Sequence, residues 1–527
     1  MSGVIDWAAG PGEIDVARVA PGSSMDLRVA RAEPPLVLAL DIGSSSTRAA
    51  LFDAHGRRLA GTLHQVPYRL DTTPDGGATL DPTRLVDAVA ATIDGALAAA
   101  PDASVQAVGV STFWHSLMGV DRDGRARTPV YTWADTRAAG AAAHLRQTLD
   151  GEGHHRRTGT VLHSSYPLAK LVWLQRAMPE LAAGVHRWLS FGEYLFLTLL
   201  GEATCSISMA SGTGLFDQAR LTWDPDALDA AGITSDDLSP ISDEPVVGLR
   251  PTFAARWPGL ARAAWFPALG DGACSNLGSG AIGRGRLAIT IGTTAALRLL
   301  WAGDPVPPPP GLWLYRLDAR HVLLGGALSE GGNLHDWVCT RFRLPDPPER
   351  DAALAAMPPD SHGLTWLPLL AGERSPGWEP HARGALAGLT LDTDPVAVLR
   401  AAMEAVAYRV ALVARLLDAA APGERTIIAS GSALLRNPIW LQILSDVLGR
   451  PLLAGAAPEA SLTGAALMAL ARLPREVGGQ PDLLDRIAAG PVPAAARYDP
   501  DPDRHHTYQS AIARQERLYR RLIADAG

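Results

Sequence analysis

The chain reads as an α/β protein built from two similar halves, and three observations lead there. Two turns rich in glycine, serine and threonine, each set between apolar runs, lie roughly 250 residues apart. Strand-like and helix-like segments alternate after each of them. And Lys170 is the only lysine in 527 residues, which removes one common way of holding a nucleotide.

The first turn lies in Leu38-Ala39-Leu40-Asp41-Ile42-Gly43-Ser44-Ser45-Ser46-Thr47-Arg48. The second lies in Leu287-Ala288-Ile289-Thr290-Ile291-Gly292-Thr293-Thr294-Ala295. Each predicts a strand, a tight turn and a second apolar strand, Ala49 to Phe52 in one case and Ala296 to Leu300 in the other. Glycine lets the backbone come close to an anion, and the N–H and hydroxyl groups of such a turn donate to phosphate oxygens. One hairpin of this kind is ordinary turn chemistry. Two of them describe half-molecules facing a shared nucleotide, the architecture of actin-like ATPases with ribonuclease-H-like domains and a cleft between. A P-loop requires a lysine within its glycine-rich turn, and neither hairpin has one. Backbone N–H groups, hydroxyls, arginine and a metal ion are left to hold the phosphates.

In chain order, three strands to about Val66 are followed by a helix over Pro82 to Ala99 and a strand from Val105 to Ser111. Further helices are predicted at Asp135 to Thr148, Pro167 to Arg176 and Phe191 to Leu200. The stretch Asp217 to Pro267, rich in Pro, Asp and Trp, reads as an inserted subdomain on the substrate side. The second half starts near Gly283, repeats the hairpin, and passes through a stiff loop at Pro305 to Pro310. A strand at His321 to Gly325 and a helix over Gly332 to Phe342 follow, then a long helix over Pro395 to Asp418. Strand Arg425 to Ala429, the turn Ser430-Gly431-Ser432, and helices Pro438 to Leu448 and Ser461 to Ala471 complete the half. A Pro- and charge-rich tail ends in a helix over Thr507 to Ala524, packed on its own domain or on a second copy in a homodimer.

Bulk properties narrow the function. The length calls for at least two domains. A hydrophobic content of 47% with 19% charged residues is that of a soluble globular enzyme. A net charge of -8 argues against nucleic acid or an anionic membrane as partner. Cys205, Cys274 and Cys339 lie far apart without CxxC spacing, so reduced thiols are expected rather than a disulfide frame or a zinc site. No apolar run reaches the length of a membrane span, and residues 1–33 carry no secretory h-region, so a cytoplasmic protein is expected. Those first residues read as a flexible extension, with a short helix around Ile14 to Val19.

The motifs fall in one order that resembles the FGGY family of carbohydrate kinases from about Pro35 to Arg472. Besides the two hairpins, the carrying segments are Val110-Ser-Thr-Phe-Trp-His-Ser-Leu-Met-Gly-Val120, Tyr131-Thr-Trp-Ala-Asp-Thr-Arg137 and Ser208-Met-Ala-Ser-Gly-Thr-Gly214. Gly270-Asp-Gly-Ala-Cys-Ser-Asn-Leu-Gly278, Gly372-Glu-Arg-Ser-Pro376 and Ala429-Ser-Gly-Ser432 complete the set. The resemblance implies a sugar- or sugar-acid-binding N-terminal domain over 34–284, with the first hairpin and a catalytic aspartate. It implies a C-terminal domain over 285–474 with the second hairpin and an adenosine site, and leaves 475–527 as a Pro-rich helical tail. The expected activity is ATP- and Mg²⁺-dependent phosphorylation of a sugar acid, D-gluconate ahead of xylulose or another polyol. An actin-like ATPase that is not a kinase is the alternative from another class.

Residue by residue, Asp271 could serve only to cap a helix, while the matching aspartate in similar kinases takes the proton of the sugar hydroxyl. Asp41 ends the first strand, as a turn stabiliser and as a water-mediated support for Mg²⁺, with Asp271 as a second metal contact. Ser44, Ser45 and Arg48 would meet the β- and γ-phosphates, and Gly292 and Thr293 would do so from the other side. Gly431 and Ser432 lie where adenosine would rest on backbone, with Asn437 as an adenine contact. Gly325 lines the nucleotide path or packs at a strand end. Trp114, His115, Asp135 and Arg137 are the substrate-side candidates, although Asp135 would also suit a helix start. A substrate carboxylate calls for a guanidinium or a charged imidazole, which points to Arg137 or His115. Lys170 reads as a solvated residue on an amphipathic helix, and Glu373 with Arg374 as a surface pair in a loop.

Overall fold

Residues 27–28, 31–456 and 459–524 are described by the computed structural model. The helix expected around Ile14 to Val19 lies outside the described residues.

The first hairpin is formed by β1 (Leu36–Ile42) and β2 (Ser46–Phe52), paired antiparallel with Asp41 opposite Arg48. β3 (His64–Pro67) extends it. The helix α1 (Pro82–Ala98) starts where Asp81 accepts the Arg84 N–H and Pro82 fills the first turn, and it buries Leu85, Val89, Ile93 and Ala96 along one face. β4 (Val105–Thr112) then lies parallel to β1. Two short strands, β5 (Val246–Val247) and β6 (Ala264–Trp265), close the far edge, giving the order β5-β6-β4-β1-β2-β3. The stretch Asp217 to Pro267 therefore returns to the main sheet instead of forming a subdomain apart. Trp265 supplies the reason, since its indole is fully buried in the first core.

The helix α2 (Asp271–Gly278) leads out of this half. The second hairpin is β7 (Arg286–Ile291) with β8 (Ala295–Ala302), followed by β9 (Trp313–Arg316) and β10 (His321–Leu328). The long helix α3 (Pro395–Ala420) precedes β11 (Thr426–Ser430) and β12 (Leu452–Gly455). After them come α4 (Ala460–Arg472), β13 (Ala494–Tyr498) and α5 (Pro502–Tyr519). The strand order is β9-β10-β8-β7-β11-β12-β13. Read from the other end, β13-β12-β11-β7-β8-β10 repeats β5-β6-β4-β1-β2-β3 with the same pattern of parallel and antiparallel neighbours.

Three expected boundaries shift. The tail after residue 474 is built into the molecule, because β13 supplies a sheet edge and α5 buries Tyr508, Ala511 and Ile512 in the second core of its own chain. The helix α4, numbered with the second half, buries Leu462, Ala465 and Ala466 in the first core. It crosses α2 so closely that a Cβ on Gly278 or Gly464 would run into the opposing backbone. And residues ahead of β1 are tied down where they are described: Leu27 bridges Leu59, and Glu33 pairs with His55 at 3.0 Å and Arg57 at 3.4 Å. Among the described residues no helix is long and apolar enough to cross a membrane.

Candidate active site

Between the halves lies an open cleft with about 890 Å³ of empty space, continuous with solvent. Ser44, Trp114, His115, Tyr166 and Asp271 line it from the first half, and Thr294, Arg298, Trp313, Tyr315 and Arg374 from the second. Trp313 and Tyr315 are two apart on β9, so their rings share a face and stack at 4.1 Å. The Tyr315 and Tyr166 hydroxyls are hydrogen bonded at 2.7 Å, joining the halves across the floor of the cleft.

Past β4 the chain turns sharply inward. Trp114 donates its indole N–H to the Ser208 carbonyl at 2.9 Å and lies flat on Gly270, where a Cβ would collide with the ring. His115 has φ +64°, a left-handed conformation that costs free energy for a residue with a side chain. Lys170 holds it there. The ammonium is 1% exposed and donates to the His115 carbonyl at 3.0 Å and to the Ser165 carbonyl. Lys170 is thus a buried structural donor rather than a solvated side chain, and burial lowers its pKa to about 7. The Nδ1–H of His115 donates to the Gly212 carbonyl at 2.6 Å, which leaves Nε2 as an acceptor. Burial presses this imidazole's pKa to about 3, so it stays neutral. A neutral imidazole in this place is suited to accept a hydroxyl proton in a hydrogen bond rather than to pair with a carboxylate.

Asp271 is the first residue of α2 and accepts the Gly272 N–H at 2.7 Å. Burial raises its pKa to about 6; the Arg298 charge works against this and the Asp41 charge adds to it. Arg298, on β8, donates to Thr290 Oγ1 at 3.3 Å, and burial lowers its own pKa. Asp41 accepts from Ser111 Oγ at 3.0 Å, and burial raises its pKa against the pull of Arg48. Arg48 sits between carboxylates, 3.4 Å from Asp41 and 3.3 Å from Glu459.

In the first turn Ser44 reaches the cleft, while Ser45 is exposed and its carbonyl takes the Tyr68 N–H at 2.9 Å. In the second, Thr294 lines the cleft; Gly292 and the exposed Thr293 lend their carbonyls to the N–H groups of Gly332 and Asn333 at 2.8 and 3.0 Å. Gly431 has φ +94° and lies against the Ile291 backbone, so a side chain there is doubly barred. Ser432 is exposed beside it, and Asn437 caps the helix Pro438–Leu448 by accepting the Trp440 N–H at 3.1 Å. Gly325 is buried, with no room for a Cβ beneath Trp313, which makes it a packing glycine.

Asp135 and Arg137 stand apart from the cleft lining. The helix expected from Asp135 starts at Ala139, and Asp135 instead accepts the Ala78 N–H at 3.1 Å and two N–H groups of the Arg137 guanidinium at 3.1 and 2.6 Å. Arg137 is further covered by Trp173, 4.8 Å from its ring centre, so its charge is already matched.

Sequence reasoning missed Tyr166, Arg298, Trp313, Tyr315 and Arg374. The alternation Trp313-Leu314-Tyr315 would have shown two aromatics on one strand face. Arg374 lies in the motif Gly372–Pro376, but nothing local shows that its side chain enters the cleft. Both members of the expected surface pair are drawn inward: Glu373 is 3% exposed and bonded by Arg409 and the Tyr519 hydroxyl, and Arg374 turns the other way into the cleft.

The model of the N-terminal domain of the FGGY family of carbohydrate kinases matches residues 36–278, and that of the C-terminal domain matches 287–473. The chain is 31% identical over 448 residues to a gluconokinase of Bacillus subtilis, covering 82% of this chain and 87% of that one. It is 26% identical to a xylulose kinase of Escherichia coli, covering 93% and 99%. The crystal structure of a gluconate kinase from Lactobacillus acidophilus superposes with a TM-score of 0.85 at 26% identity, over 92% of this chain and 98% of that one.

Proposed function

The chain belongs to the FGGY family of carbohydrate kinases, and from that premise we propose that it transfers the γ-phosphoryl group of ATP to the terminal hydroxyl of D-gluconate, giving 6-phosphogluconate. The observation carrying the mechanism is the half-buried Asp271 carboxylate, open to the cleft, with a pKa raised to about 6. Such a group is ionised at neutral pH and still basic enough to take a proton. In the step we propose, the oxygen of the terminal hydroxyl forms its bond to the γ-phosphorus while the bond from that phosphorus to the bridging oxygen of ADP breaks. The hydroxyl proton passes to Asp271. Charge spread over the phosphoryl oxygens meets Arg298, whose cation stands beside Asp271, and the hydroxyls of Ser44 and Thr294. Trp114, Trp313 and Tyr315 offer flat faces to the C–H bonds of the substrate, and the Nε2 acceptor of His115 takes a hydroxyl proton in a hydrogen bond.

Asp41 and Asp271 suit a hard dication, because the Asp41 charge disfavours ionisation of Asp271 and both side chains offer oxygen ligands. They would hold Mg²⁺, Asp41 through water. When bound, the ion neutralises phosphate charge. Gly431 would back the adenosine. ATP as phosphoryl donor fits a cytoplasmic setting. The similarity to gluconokinases supports gluconate over xylulose.

ADP release with Mg-ATP is to be measured against gluconate, xylulose and glycerol, beside Asp271→Asn. Gluconate should stimulate turnover most, and the variant should lose it. Preference for xylulose would overturn the substrate, and turnover that no sugar stimulates would favour an actin-like ATPase that is not a kinase.

A further inference from the structure

The wall of the cleft formed by the loop Gly372–Pro376 carries a guanidinium that makes no direct ion pair among the described residues. Arg374 donates through Nη2 to the Leu328 carbonyl at 2.5 Å, and its guanidinium lies 5.7 Å from the Trp133 ring centre. Among the described residues no carboxylate reaches it within ion-pairing distance. Its neighbour Glu373 is taken by Arg409 and Tyr519. Glu330, whose charge favours that of Arg374 without reaching it, spends Oε1 on the Ala371 N–H at 2.8 Å, and burial pushes its pKa up to about 7. Burial also disfavours the charge on Arg374 itself.

His163 packs edge-on to Trp378 at 5.3 Å, and burial holds its pKa near 4, with Arg374 and Lys170 adding to the effect. Lys170 spends its ammonium on two carbonyls. A guanidinium has five N–H donors in a planar fork matched to a carboxylate, and Arg374 uses one hydrogen bond of that set on protein. Desolvating such a group without an anion is costly, so the site gains most from a ligand that brings one.

We propose that Arg374 binds the carboxylate of the sugar acid, so that the chain runs across the aromatic floor and presents its far hydroxyl to Asp271. The inference rests on the gluconate reading above. It makes Arg374 the residue that separates acids from neutral sugars, in place of Arg137 and His115.

The test compares D-gluconate with D-gluconamide, which keeps every hydroxyl and removes the charge, in the wild type, Arg374→Lys and Arg374→Met. Each variant is first checked for a wild-type circular dichroism spectrum and melting transition. The wild type should favour gluconate about a hundredfold in kcat/KM, mainly through KM. Arg374→Met should abolish that preference, and Arg374→Lys should restore part of it. A preference that survives in Arg374→Met, or a loss equal for both substrates, overturns the inference and leaves the gluconate reading standing. A wild type that does not phosphorylate gluconate overturns both.

Discussion

Two carboxylates in this molecule, one fully buried and one half-buried at the cleft, have opposite fates. Glu404, on α3, is 0% exposed and accepts from Arg400 at 2.6 Å, from the Tyr508 and Tyr408 hydroxyls at 2.9 Å each, and from His362 at 3.0 Å. Burial pushes its pKa up, but His362 and Arg400 more than reverse this and hold it below the usual value. Asp271 has one backbone N–H and a cation that does not reach it, and its pKa ends well above the usual value. Asp360, His362 and Glu404 lie close enough to share a metal ion, yet Arg514, Arg400 and the tyrosines already occupy them. Full pairing marks a carboxylate that holds the fold; incomplete pairing marks one held ready for a reactant.

The largest test of this contrast is Asp271→Asn, which should lower kcat by about 10³-fold while leaving the melting temperature equal or higher. A large loss of stability would erase the distinction. Glu404→Gln should do the reverse, costing about 3–5 kcal/mol in denaturant unfolding with kcat per folded molecule unchanged. Next is pH. Below about pH 6, Asp271 takes up a proton, so kcat/KM should fall about tenfold per pH unit. The folded pKa of Asp271 lies above its unfolded value, so the native state binds more protons between about pH 4 and 6, and the group favours folding as pH falls through that window. The folded pKa of Glu404 is depressed, so its stabilisation is complete above the unfolded value of 4.5 and is lost as pH falls through the folded one. Unfolding of wild type and Asp271→Asn from pH 4 to 8 checks the first sign: the variant's advantage should be present at pH 8 and vanish by about pH 4. The smallest effect is expected for Lys170→Met, about tenfold in kcat/KM, because it releases the backbone of His115 without touching a reacting atom. An unchanged KM for gluconate in that variant would show that His115 keeps its place unaided.

The residues that were legible in the sequence carry their cause locally. The hairpins declare themselves through Gly43 and Gly292 after apolar runs, and α1 through Asp81 and Pro82. The strands β5 and β13 do not: the first is two residues long, the second reads Ala-Ala-Ala-Arg-Tyr and is mostly exposed, and both exist because a neighbouring strand offers an edge. The site divides the same way. Asp271 and Trp114-His115 are bound to local motifs, whereas Arg374 becomes a cleft residue only because Arg409 and Tyr519, far along the chain, draw Glu373 to the other side. Lys170 looked solvated because helical spacing reveals a face but not what covers it, here the loop that carries His115.

That one lysine also makes the protein its own chemical reporter. A chain with a single ε-amine offers amine-reactive reagents one side-chain target, and a pKa of about 7 leaves about half of it unprotonated, and so nucleophilic, at neutral pH. At 1% exposure the amine is shielded from reagent while the cleft wall is in place. The rate at which an acylating or reductively alkylating probe modifies Lys170 therefore times the opening of that wall, without any engineered label.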